Sequence, residues 1–232
     1  MIRYGTDKNG KPVKKALVYT KEEHCIPKSK IDFDAVHIVE GLRAEGFHAY
    51  IVGGAVRDML LGKPASDWDV TTDARPENVM RMFHKVIPTG IAHGTVTIHF
   101  MGKEIEATTF RCESGYTDGR HPDQVTFNAT LVDDLSRRDF TMNAMMEDVL
   151  TGEILDFFGG RADMQRHLIR HVNNVTYQED ALRVLRAAQF AARFKFEIAE
   201  ETRELSRTMS LAELAPERIL GELNKALIKA AK

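Results

Sequence analysis

The sequence of 232 residues contains only two cysteines, one tryptophan and seven prolines, and each scarcity excludes something. Cys25 and Cys112 stand far apart with no C-x-x-C spacing, which argues against a disulfide framework or a cysteine zinc site and fits a reducing, cytoplasmic setting. No run reaches the ~18 apolar residues that crossing a bilayer requires, and the opening MIRYGTDKNGKPVKK lacks the apolar centre of a signal peptide, so no membrane association is expected. Charge of one sign is missing too: 32 Lys and Arg face 34 Asp and Glu, a net −2, which argues against a protein that holds nucleic acid by bulk electrostatics. What remains, 43% hydrophobic and 28% charged, is a globular composition, long enough for one large domain or two small ones.

The charge is unevenly spread. Residues 1–30 carry eight Lys or Arg against three Asp or Glu, and this basic stretch with its Gly and Asn reads as a solvated leader, with contact to a phosphate backbone as the alternative. From Ile31 a helical stripe of Ala35, Val36, Ile38, Val39 and Leu42 begins and stops at Gly46. HAYIVGG reads as a buried strand running into a glycine pair, AVRDMLLG as a short helix, DWDVTTD as a strand and PENVMRMFH as a helix led by Pro76. GTVTIHF and KEIEATTFR form a hairpin about Met101-Gly102-Lys103. ESGYTDGRHPDQ is a long loop within a compact region, which hints at function. QVTFNATL reads as a strand, DDLSRRDFTMNAMMEDV as a helix by its period, and TGEILDFFGG as a strand. After Arg161 only helical patterns recur. The chain therefore divides into a basic leader (1–30), a mixed α+β part (31–160) and an all-helical part (161–232).

Two aspartates at i and i+2 on a strand share a face, so Asp67 and Asp69 can together hold a divalent cation through hard oxygen ligands. The spacing alone is weak, because Asp32/Asp34 and Glu104/Glu106 repeat it; Asp32/Asp34 precedes a helix and reads as an N-cap with a first-turn carboxylate. Position is what distinguishes Asp67 and Asp69, which follow a strand, a glycine pair and a helix. The N–H groups of Gly53 and Gly54 can approach a triphosphate, Arg57 one turn on can neutralise it, and the two carboxylates can set Mg²⁺ against it. Glu106, on a neighbouring strand, is a candidate third carboxylate. His93 and His99 read as structural residues, since their spacing gives poor ligand geometry.

VGGAVRDMLLGKPASDWDVTT resembles the catalytic signature of the class II tRNA nucleotidyltransferase and bacterial poly(A) polymerase family of the DNA polymerase β superfamily. IPTGIAHGTVTI, IEATTFR, RRDFTMNA and EDALRVLRAAQFAARFKF resemble further family segments in family order, over residues 31–225. The resemblance implies a nucleotidyltransferase head, a mixed sheet with flanking helices, followed by an all-helical neck. It implies catalytic, metal-binding Asp67 and Asp69, with Glu106 as the third acidic residue. It implies nucleotide contacts at Gly54, Arg57, Arg138, Asp139, Asn143 and Arg186, and a base-reading pair in Asp180 and Arg183. Placed on one helix, Asp180, Arg183 and Arg186 would share a face, leaving Leu182, Leu185 and Phe190 to the core; without the family, Asp180 and Arg183 would read as a surface ion pair. Gln189 stands where family members usually carry another arginine. Family members also continue into helical body and tail regions, so a chain ending at Lys232 reads as a short enzyme or a fragment.

The activity so implied is Mg²⁺-assisted addition of C and A residues, or of A alone, to the tRNA 3′ end from CTP and ATP. The 113–124 loop resembles one used in switching to the terminal A. Poly(A) polymerase is the near alternative, and a catalytically silent nucleotide- or RNA-binding module the more distant one. Oligomeric state is not legible.

Overall fold

The computed structural model describes residues 2–6, 12–114, 124–127 and 129–230. The 113–124 loop singled out above lies, from 115 to 123, outside the described residues.

The first helical stripe folds as predicted. After a one-turn α1 (Lys21–His24), α2 (Phe33–Ala44) is capped by Asp32, whose carboxylate accepts from the Asp34 N–H at 2.9 Å, and it buries Ala35, Val36, Ile38, Val39 and Leu42. Next come β3 (Ala49–Val52), α3 (Gly54–Leu60), β4 (Asp69–Thr72) and α4 (Pro76–Met82), the last with Pro76 in its first turn. Strand β5 (Val86–Gly90) leads into the hairpin of β6 (Thr95–Phe100) and β7 (Lys103–Thr109). Met101 at φ 46° and Gly102 at φ 87° supply the left-handed pair that a two-residue hairpin turn of type I′ requires. A small ribbon, β8 (Cys112–Ser114) with β9 (Gln124–Thr126), precedes α5 (Leu131–Ser136).

Three segments differ from the sequence reading. The stretch 133–149, expected as one helix, holds the end of α5, a 3₁₀ turn at Thr141–Asn143 and a strand, β10 (Met145–Asp148). All four residues of β10, Met145, Met146, Glu147 and Asp148, are buried, so a strand covered on both faces lacks the alternation that would mark it. The expected solvated leader instead forms β1 (Ile2–Thr6) and β2 (Pro12–Tyr19). Strand β2 pairs Leu17, Val18 and Tyr19 with β11 (Glu153–Asp156), and Ala16 and Val18 are buried. The third difference lies beyond α6 (Gly160–Gln165). The region expected to hold only helices carries a two-residue parallel pair, β12 (Leu168–Ile169) with β13 (Glu197–Ile198), among α7 (Asn174–Glu179), α8 (Leu182–Phe194), α9 (Glu200–Arg207) and α10 (Pro216–Ala230).

The large sheet has nine strands in the order β1-β2-β11-β10-β3-β4-β7-β6-β5, and among the described residues only β4 and β7 run parallel. One face packs on α2 and α3 through Ile38, Leu42, Ile51, Val56 and Val70; on the other, Leu135 of α5 closes over Val52 and Met146. An aromatic chain ties the helical region to the end of the sheet. Phe140 meets Tyr177 and Phe190 edge-on, with centroids 6.1 and 5.7 Å apart, and Phe190 stacks on Phe194. This fixes α8 across the turn that carries residues 138–143.

Candidate active site

Between the sheet and the last helices lies an open cavity of about 480 Å³. Its head-side wall begins at Gly53, whose φ of 78° turns the chain from β3 into α3. A Cβ there would stand 3.3 Å from Arg138 Nη1 and 3.7 Å from Asp69 Oδ2. The bare backbone is therefore what lets a guanidinium, a carboxylate and a helix start share one corner. Asp69 opens β4 and lines the cavity; Asp67 lies just before the strand, exposed, and lines it too. The two therefore do not sit on one strand as expected, but they face the same space. Glu106 is the register partner of Asp69 on β7, yet it is exposed and does not line the cavity.

Burial, with the Glu106 and Asp67 charges adding to it against the opposing pull of Arg138, raises the Asp69 carboxyl to about 6. Crowded carboxylates of this kind are relieved by a divalent cation, so the donor set fits one. Among the described residues no group of three or more His, Cys, Asp or Glu side chains forms a closed metal cage. The carboxylates form an open pair, Asp67 and Asp69, with Glu106 on the neighbouring strand outside the cavity.

The other wall is rich in arginine. Asp139 is buried and accepts from Arg186 at 2.9 and 2.6 Å, from Asn143 Nδ2 at 2.9 Å and from the Phe140 N–H at 2.7 Å. Burial alone would raise its pKa, but the Arg186 charge, the Asn143 hydrogen bond and the Arg183 charge outweigh it and hold the carboxyl at about 2. Asn143 accepts from Arg57 Nη1 at 2.6 Å, and Arg57 Nε donates to Asp58 at 2.8 Å, which also takes Arg193 at 3.2 Å. One continuous network thus runs from α8 through the 3₁₀ turn to α3. Arg57 lies over Phe194 at 4.9 Å from the ring centroid and over Phe190 at 5.3 Å, which holds its plane while Nη2 stays close to Gly54. Arg138 reaches Asp134 at 3.5 Å, while its Nε is buried without a hydrogen-bond partner.

Asp180 corrects the single-helix picture. It sits in extended conformation between α7 and α8, where its carboxylate accepts from the Leu182 N–H at 3.1 Å and from Arg218 at 3.4 Å. Arg183 and Arg186 are on α8, and Arg183 donates to the Arg137 and Arg138 carbonyls at 2.7 and 3.4 Å. Asp180, Arg183 and Arg186 nonetheless all line the cavity. Of the twelve site residues named from the sequence, every one but Glu106 lines it, and His93 and His99 do not.

Sequence reasoning missed Arg137, Arg193, Glu222 and Lys225, which also line the cavity. Arg193 lies two helical turns after Arg186 and one after Gln189, so continuing the α8 stripe would have found it. Glu222 and Lys225 belong to α10, and nothing local marks them; only the packing of α10 on α8 brings them in.

A mixed sheet with flanking helices, entered through Gly53-Gly54 and edged by an acidic strand, defines a nucleotidyltransferase head. The model of the poly A polymerase head domain matches residues 49–170, just over half the chain, and the chain belongs to that family, which corresponds to the class II tRNA nucleotidyltransferases and bacterial poly(A) polymerases. A CCA-adding enzyme of Leuconostoc citreum is 48% identical over 197 residues, covering 82% of this chain and 48% of its own length. The crystal structure of Bacillus stearothermophilus CCA-adding enzyme in complex with CTP superposes with a TM-score of 0.76 at 42% identity, covering 83% of this chain and 47% of that one. Thermotoga maritima CCA-adding enzyme complexed with tRNA gives a TM-score of 0.75 at 26% identity, with 92% and 51% covered. The chain spans about half the length of the curated relatives it matches. Nucleotidyltransferases of this family generally use divalent metal ions, and among the described residues no helix is long and apolar enough to cross a membrane.

Proposed function

We propose that this chain carries the catalytic head and the nucleotide-selecting neck of a tRNA nucleotidyltransferase, which adds C and A residues to the tRNA 3′ end from CTP and ATP. One observation carries the reading: a single cavity joins Gly53-Gly54, the carboxylates Asp67 and Asp69, and a wall of arginines from both the sheet and the helical region. With Arg57, Arg137, Arg138, Arg183, Arg186, Arg193 and Lys225 set against Asp67, Asp69, Asp139, Asp180 and Glu222, the lining is net cationic. That suits a polyphosphate despite the overall net charge of −2.

In the reaction the terminal ribose 3′-hydroxyl oxygen bonds to the α-phosphorus, the bond to the bridging oxygen breaks, and pyrophosphate leaves. The N–H groups of Gly53 and Gly54 and the guanidinium groups of Arg57 and Arg138 bind and orient the triphosphate. Asp139 holds Arg186 in place for the nucleotide, and Asn143 does the same for Arg57. Asp180 and Arg183 offer an acceptor and donors to the base edge, so side chains stand in for a template. Asp67 and Asp69, with Glu106 beside them, would hold the cation, which we take to be Mg²⁺; when bound it supplies positive charge against the phosphates and favours deprotonation of the hydroxyl. The exposed thiols of Cys25 and Cys112 suit a reducing cytoplasm.

The test is extension of tRNA lacking its 3′ end with labelled CTP and ATP in the presence of Mg²⁺. Discrete addition of up to three nucleotides is expected, and Asp67→Ala should reduce it at least ~10³-fold with an unchanged circular dichroism spectrum. A long A tail would mark a poly(A) polymerase, nucleotide binding without extension a silent module, and full activity of Asp67→Ala would overturn the metal assignment.

A further inference from the structure

The corner assigned to phosphate rests on a carboxylate that the cavity does not expose. Asp134, on α5, is fully buried, while the Arg137 and Arg138 side chains it contacts both line the cavity. Its Oδ1 accepts from Arg137 Nε at 3.0 Å and Nη2 at 2.8 Å, and its Oδ2 accepts from Thr71 Oγ1 at 3.0 Å and from Arg138 Nη2 at 3.5 Å. Thr71 is buried too and stands two residues after Asp69 on β4, so the two share a face of that strand. One carboxylate thus ties the arginine pair to the strand that opens with a candidate metal ligand. Burial would raise the Asp134 pKa, but the Arg137 and Arg138 charges outweigh it and hold the carboxyl below its ordinary range, so it stays ionised. Arg138 keeps capacity for a ligand. Its Nε is buried without a partner, and its Nη1 lies 3.3 Å from the place a Cβ on Gly53 would take. An unpaired donor of a buried guanidinium is costly unless a ligand brings the acceptor.

We propose that Asp134 is a positioning residue for the triphosphate: braced on β4 through Thr71, it sets the Arg138 guanidinium beside Gly53 at a fixed place relative to Asp69. It touches neither nucleotide nor cation and acts through the arginine. Phosphates, countercharge and cation must meet in one geometry, and a misplacement of about 1 Å can cost on the order of a hundredfold in rate. An arginine on a free stem gives up its rotamer freedom each time it binds, whereas one braced by a buried carboxylate has given it up on folding. The negative charge of Asp134 opposes phosphate by simple Coulomb attraction and repulsion, so its presence behind this corner makes sense as a brace and not as part of the field. This rests on the nucleotide-binding reading of the cavity above.

Equilibrium binding of ATP and AMP to the protein tests it, because their ratio isolates the grip on the β- and γ-phosphates. Asp134→Asn, nearly the same shape without the charge, should cut the preference for ATP over AMP by about tenfold while AMP affinity holds, the worth of one well-placed bond to a charged group. Thr71→Val should cut it by about threefold, and Thr71→Ser, which keeps the hydroxyl, should restore it. This pair keeps the test open if Asp134→Asn fails to fold. In an Arg138→Gln background, Asp134→Asn should change the ratio no further, since the brace then has nothing to hold. A merely structural Asp134 would lower the denaturation midpoint or weaken both nucleotides together and leave the ratio unchanged, which overturns the proposal. Tighter ATP binding by Asp134→Asn would mean that the residue acts only as a negative charge, and equal ratios in Thr71→Val and Thr71→Ser would mean that the hydroxyl braces nothing; either overturns it. So does a further loss in the Arg138→Gln background, which would route the effect through Arg137. Failure of wild type to bind ATP more tightly than AMP would sink the nucleotide reading itself, a result separable from an unchanged ratio among the variants.

Discussion

Asp139 shows how far a residue's type and a family position carry. The sequence marks it as a nucleotide contact, but its carboxylate is filled by Arg186, Asn143 and the Phe140 N–H. Its direct work is to hold an arginine, and only the fold, by laying α8 across the 138–143 turn, reveals that. Removing it would strand a guanidinium on α8 and an amide beside it. Asp139→Ala should lower stability by about 3 kcal/mol at pH 7, read from urea denaturation. Because its pKa is depressed to about 2 from an ordinary 3.8, the stability it contributes is present above pH 3.8 and lost as pH falls toward 2. The gap between wild type and variant should therefore close below pH 4; a gap that persists at pH 2 would mean the residue acts by packing and not by charge.

At the scale of elements, local pattern served where one face is wet and failed where none is. α2 alternates buried and exposed positions with helical period, and its extent was legible to within two residues at either end. β10 was not, because Met142, Met145, Met146 and Val149 repeat at helical spacing while β10 is covered on both faces. The same strand contains a misfit to its own surroundings. Glu147 is 1% exposed, opposite Ile51 and Ile154, and its Oε2 lacks a partner. Burial first, and then the neighbouring Asp148 charge, push its carboxyl up to about 7. A raised acid pKa means the fold holds the proton better than the unfolded chain does. Its contribution is then fully present below pH 4.5 and lost as pH rises through 7. Glu147→Gln should accordingly stabilise the protein by about 2 kcal/mol at pH 8 and change little at pH 4, measured as midpoint shifts in denaturant. Equal shifts at both pH values would refute the titration.

At the scale of the whole molecule, the long-range pairings were the illegible part. Nothing in residues 12–19 announces that they lie beside residues 153–156, and a basic, Gly-containing start reads as solvent-exposed. Yet Ala16 and Val18 alternate into the core on a strand that joins β1 to the rest of the sheet. The same end is tied down by Arg161, which lies 4.2 Å from the Tyr19 ring centroid and donates to the Glu23 carbonyl at 2.6 Å, and by His24 against the Gly152 carbonyl at 2.8 Å. Removing residues 1–19 would uncover β11, whose Ile154, Leu155 and Asp156 lie in register with Tyr19, Val18 and Leu17, along its hydrogen-bonding edge. Exposed edges of this kind recruit other chains. The burial lost, with the ladder hydrogen bonds, is worth about 2–4 kcal/mol, or roughly 5–10 °C in Tm for a chain of this size. The truncated protein should therefore melt earlier and self-associate, as seen by a thermal scan and by light scattering on a sizing column. A truncated chain with the full-length melting point and no change in mass would show that the β2–β11 pairing adds nothing to stability, and the first thirty residues would then be the solvated leader their composition suggests.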